Sequence, residues 1–80
     1  MKFNELLEVT KGIDFPQYGM TISLGKPADC VGSMSCYQDG DEWVIVEVDE
    51  RQQAYEVRGN EEDIVERMYS RIKILMGGNL

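Results

Sequence analysis

Few residues in this chain have the type and spacing for chemistry. Five residues separate Cys30 from Cys36, and there is no histidine. That gap matches no common zinc pattern, and nothing completes one. Without histidine, a serine–histidine or cysteine–histidine nucleophile is ruled out. The glycines are scattered, and "GMTISLGK" has neither the spacing nor the Lys-Ser/Thr ending of a phosphate-binding loop. "DGDEWVIVEVDE" shares only its acidity with a calcium loop. Glu47 and Glu56, set opposite each other in a hairpin, are the carboxylate pair nearest to acid–base work. On an open sheet surface they have no enclosed site. The expectation is a binding protein, not an enzyme, with no cofactor and no metal.

The elements that must position these groups come from one short domain, residues 1–80. A chain of this length buries roughly 60–65% of its unfolded surface, so its core is small. Hydrophobic residues at 42% and charged residues at 29% fit a globular protein. The longest apolar run is "WVIV", too short to span a membrane. "MKFNELLEVT" places Glu5 and Glu8 where a signal peptide is apolar, which points to the cytoplasm. There, two cysteines stay reduced, and both are expected to be mostly buried. The net charge of −7 repels phosphate backbones and steers cationic partners inward. The partner expected is therefore a basic protein, with no direct nucleic-acid or membrane contact.

"FNELLEVTKG" reads as a first helix, with Phe3, Leu6, Leu7 and Thr10 on one side and Gly12 as its stop. "IDFPQYG" is turn-like. "MTISL" alternates Met20, Ile22 and Leu24 against Thr21 and Ser23, as a strand does. "CVGSMSCYQ" is a second strand weakened by Gly32. "DGDE" carries a hairpin signal, "WVIVEVDE" and "AYEVR" are further strands, and "ERQQ" turns between them. Asn60 caps a last helix, with Asp63 completing a short capping box. Its stripe runs through Ile64, Val65, Met68, Tyr69, Ile72, Leu75 and Met76 until Gly77-Gly78. The fold class is α+β: an N-terminal helix, a three- to four-stranded antiparallel meander, and a C-terminal helix.

The hairpin register decides which sheet face is which. A two-residue loop at Asp39-Gly40 sets Cys36 opposite Trp43 and moves Met34 and both cysteines off the valine side. A three-residue loop from Asp39 to Asp41 sets Tyr37 opposite Trp43. A one-residue slip flips every side chain. The longer loop is favoured because it gathers Met34, Cys36, Val44, Val46, Val48, Tyr55 and Val57 on one apolar face. The other face then holds Tyr37, Trp43 and Ile45, rimmed by Glu47, Asp49 and Glu56. Glu47 would oppose Glu56, a like-charge pair that a cationic partner relieves. Such a face anchors a partner, or else the N-terminal helix or a dimer mate covers it. If it is covered, the contact surface shifts to the acidic turn of Asp39, Asp41 and Glu42 or to the start of the last helix.

The run from "WVIVEVDER" through "YEVRGNEEDIVERM", about residues 43–74, resembles small immunity proteins of bacterial polymorphic toxin systems. Several of those carry a tryptophan strand ending at an acidic-Arg turn, then a strand and a helix opening on acids. The resemblance implies a non-enzymatic inhibitor that neutralises a toxin by occluding its surface. The chain departs from them in its shortness and its Gln52-Gln53 turn, so no family binding residue carries over. Phage-encoded antagonists such as anti-CRISPR proteins are similar in bulk. They imply a nucleic-acid-binding protein as target. A structural, self-assembling module is the third class, and the expected state is monomer or homodimer.

Overall fold

The computed structural model describes residues 1–19, 21–28 and 30–77. In chain order it has helix α1 (Phe3–Thr10), a single 3-10 turn (Phe15–Tyr18), and strands β1 (Thr21–Leu24), β2 (Ser33–Asp39), β3 (Glu42–Val48) and β4 (Ala54–Gly59). Helix α2 (Glu61–Leu75) follows. The strands form one sheet in the order β1-β2-β3-β4. Two expectations fall outside the described residues: Met20 as part of the first strand and Gly78 as part of the helix stop.

The α+β class and both helices stand as expected, but the sheet is mixed. β2-β3-β4 is an antiparallel meander, whereas β1 runs parallel to β2, with Ile22 beside Met34 and Leu24 beside Cys36. A parallel pair needs a crossover, here supplied by the connection between Leu24 and Ser33, whose described residues form no helix. Ser23 Oγ donates to the carbonyl of Lys26 at 2.8 Å, and Ser33 Oγ to that of Ala28 at 3.5 Å. These bonds tie the connection to the side of the sheet that carries the serines.

The register differs from both loops considered above. Asp39 pairs with Glu42, so Gly40 and Asp41 form the two-residue loop. Of that pair only Gly40 has positive φ, +66°, as a type II′ turn with glycine first requires. The slip reverses the expected faces. Met34, Cys36, Trp43, Ile45, Glu47, Tyr55 and Val57 share one side, and Ser35, Tyr37, Val44, Val46, Glu56 and Arg58 the other.

The helices cover the first of these sides. Met34, Cys36 and Ile45 join Leu6, Ile64, Val65, Met68, Ile72 and Met76 in the buried core, with Ile22, Leu24, Trp43 and Tyr69 packed at its margin. The valine side is thus not the main core. Val44 is nevertheless fully buried, because its cross-strand neighbours Tyr37 and Arg58 flank it from β2 and β4.

Helix α2 begins as its sequence dictates. Asn60 Oδ1 accepts from the Asp63 N–H at 2.8 Å, and three acids occupy the first turn, where the helix dipole favours them. Ile64, Val65, Met68, Ile72 and Met76 are buried, while Leu75 at the end of the expected stripe is half exposed. Glu61 also accepts the Phe3 N–H at 2.9 Å, joining the starts of the two helices. In α1, Leu6 and Thr10 are buried, but Leu7 is exposed.

Candidate binding surface

The residues expected to form one partner patch are divided between the two faces of the sheet. Trp43 and Ile45 look toward the helices. Ile45 is buried in the core, and the Trp43 ring lies against Phe3 with centroids 5.0 Å apart. The covered reading of this face is the one observed: Phe3 of α1 lies over Trp43, and Ile45 is buried in the core that α2 forms with the sheet. Tyr37 is on the opposite side, half-buried beside Val44. It therefore cannot join Trp43 in an aromatic cluster.

Glu47 and Glu56 are likewise separated. Glu47 pairs in register with Tyr55 and Glu56 with Val46, so the like-charge pair does not exist. Each carboxylate has its own cation: Glu47 meets Arg71 of α2, and Glu56 meets Arg58 two residues along the same strand face. Sequence reasoning passed over both arginines. Alternation alone places Arg58 beside Glu56, whereas Arg71 reaches Glu47 only through tertiary packing.

Asp49 organises the turn between β3 and β4. One carboxylate oxygen accepts the N–H groups of Arg51 and Gln53, both at 2.9 Å, and the other lies 3.2 Å from the Tyr55 hydroxyl. Gln52 there has a positive φ of 64°, which the neighbouring bonds of the turn hold in place. Hydrogen bonds led by that from Gln53 hold the Asp49 carboxyl below its usual range, and the hydrogen bond to Asp49, helped by its charge, raises the Tyr55 hydroxyl. Asp49 is a turn-former with little freedom to contact anything else.

The acids of the β2–β3 hairpin are arranged differently. Arg58 Nη2 lies 2.9 Å from Asp39 Oδ2, its Nη1 lies 3.9 Å from Glu42 Oε1, and its Nε meets Glu56. Asp41 sits exposed at the turn itself. Three carboxylates thus surround one guanidinium, with Asp41 exposed nearby in sequence, and the bonds to Asp39 first and then Glu56 reinforce its ionisation. Net negative charge remains on a surface that also holds the half-buried Tyr37. This is the strongest electrostatic feature among the residues singled out in the sequence.

The thiols do not behave alike. Cys36 is buried in the core, where desolvation pushes its pKa up to about 11. Cys30, expected to be buried, is exposed. It lies in the crossover outside β2, which starts only at Ser33, after Gly32 turns the backbone to a φ of +79°. Among the described residues, no group of three or more acids and cysteines is gathered as metal ligands would be. No helix there is long and apolar enough to cross a membrane. Compared with protein-family models, with curated proteins and with solved structures, the chain matches none.

Proposed function

We propose that this chain is a non-enzymatic acidic binding protein. Its β2–β3 hairpin meets a basic protein, such as a toxin enzyme, and occludes its surface in the manner of an immunity protein. The observation that carries the reading is the gathering of Asp39, Glu42 and Glu56 around the single cation Arg58, with Asp41 exposed at the turn beside them in sequence. Such a patch steers a positively charged partner and fixes its orientation. The half-buried Tyr37 beside it supplies a rigid amphipathic contact of the kind enriched at interfaces. Two unpaired thiols fit a reducing cytoplasm as the setting.

The test uses the protein that co-purifies with the chain from its native host. Asp41→Lys and Glu42→Lys should each slow association with it and flatten the salt dependence, with dissociation little changed. Their folding stability should stay within about 0.5 kcal/mol of the parent, as for other exposed positions. Association rates equal to the parent at low salt would remove the hairpin from the interface.

A further inference from the structure

Strand β4 ends the sheet, and among the described residues nothing pairs with its outer edge. Every residue from Ala54 to Arg58 is exposed. Tyr55 and Val57 point to the helix side, yet they remain 54% and 39% accessible. Natural sheets blunt such an edge with proline, charged side chains or a bulge. "AYEVRG" has no proline, its two charges are of opposite sign, and its pairing with β3 runs without a bulge from Ala54 to Gly59.

The sequence of this edge is complementary to itself. When two identical strands pair antiparallel along the same edge, residues that turn their N–H and C=O groups outward lie opposite one another, and those that turn them inward do likewise. The two sets alternate along the strand, so Glu56 and Arg58 pair among themselves, and Tyr55, Val57 and Gly59 do likewise. Three central registers satisfy this. One sets Glu56 against Glu56 and another sets Arg58 against Arg58, both like-charge contacts. The third, centred on Val57, sets Glu56 opposite Arg58 twice, Val57 opposite Val57, and Tyr55 opposite Gly59. An aromatic ring over an edge glycine is itself a favourable cross-strand arrangement. Asp49 and Gln53 already hold the Tyr55 hydroxyl, at 3.2 and 3.0 Å, so the ring is pre-positioned.

We infer that β4 is the contact surface for a second copy of this chain, joined edge to edge about a two-fold axis through Val57. The product is a continuous eight-stranded sheet whose two sets of helices lie on one side. This contact engages Glu56 and Arg58, which also belong to the acidic patch, and leaves Asp41 at the hairpin tip free; its cross-linking test does not depend on the proposed basic partner.

Cross-linking tests both the dimer and its register, in a Cys30→Ser background. Directly opposed residues in an antiparallel pair lie about 4.5–5.5 Å apart, within the span of a disulfide, whereas diagonal neighbours lie about 7–8 Å apart and are out of reach. Val57→Cys should therefore form a covalent dimer under mild oxidation, and Glu56→Cys and Arg58→Cys should not. Sedimentation of the parent chain up to about 1 mM, the weak end of specific association, should show a reversible dimer. Preferential cross-linking at position 56 or 58 overturns the register. A chain that stays monomeric and cross-links at none of the three overturns the dimer.

Discussion

Trp43 of β3 lies against Phe3, the first residue of α1, with ring planes tilted by 40°. Tilted aromatic pairs gain beyond the area they bury, and this one closes the short helix over the sheet. Trp43→Ala should therefore cost about 2–4 kcal/mol in urea unfolding, the range for emptying a large aromatic site that keeps some solvent contact. Phe3→Ala should shift Trp43 emission to the red without abolishing the fold. A Trp43→Ala loss under about 0.5 kcal/mol would mark the ring as a surface group.

The two ends of the α2 stripe should respond differently to truncation. Ile72 is fully buried, and its replacement by alanine should cost roughly 2–4 kcal/mol. Leu75 is half exposed, so Leu75→Ala should stay within about 1 kcal/mol. Comparing the two midpoints in one denaturant series checks the packing direction of the helix.

Cys30 should react quickly with a polar thiol reagent, and Cys36 only as the protein opens. Burial raises the Cys36 thiol from 9.0 to about 11. Its neutral form is thus favoured by folding. The associated stability is intact below pH 9 and falls as the pH climbs from there through about 11, where the unfolded chain ionises first. Cys36→Ala should lessen that alkaline loss, as read from thermal unfolding across the same window.

Asp49 should give the opposite pH response. Its carboxyl is held below the usual range, chiefly by the hydrogen bond from Gln53. The turn is therefore supported above the ordinary carboxylate pKa, and that support is lost as the pH falls through the lowered value. In Asp49→Ala the amides of Arg51 and Gln53 should exchange faster at neutral pH. Acidification should then change their exchange little beyond the intrinsic rate.

The legible parts of this fold were the local ones. Asn60, Asp63 and the repeat from Ile64 to Ile72 define α2 through contacts within one or two turns of chain. The direction of β1 was hidden because its partner is chosen by a crossover, and alternation in "TISL" fits a parallel or an antiparallel neighbour equally well. The sheet faces were misassigned by a single step. "DG" drew the loop onto Asp39, whereas the backbone turns at Gly40 and Asp41. Three valines in alternation look like a core, but their β2 neighbours in this register are Ser35 and Tyr37, not Met34 and Cys36. The candidate surface inherited that error. The acids of the hairpin could be read directly, since a turn exposes its residues in any register. The grouping of Tyr37 with Trp43 could not survive the slip.

The parallel attachment of β1 sets an order for folding and for opening. The two hairpins joining β2 to β4 close over short loops, so their pairing requires little chain to be ordered first. β1 can seat only after its crossover is laid down, and it is just four residues long. It should join the sheet late and leave it early, as a unit less stable than the rest. Leu24 lies beside Cys36, and the Cys36 carbonyl accepts the Gly25 N–H at 2.8 Å. Departure of β1 would therefore uncover the one buried thiol. The rate at which Cys36 becomes reactive under native conditions is then a clock for the detachment of a single strand, in a molecule whose remaining sheet stays closed.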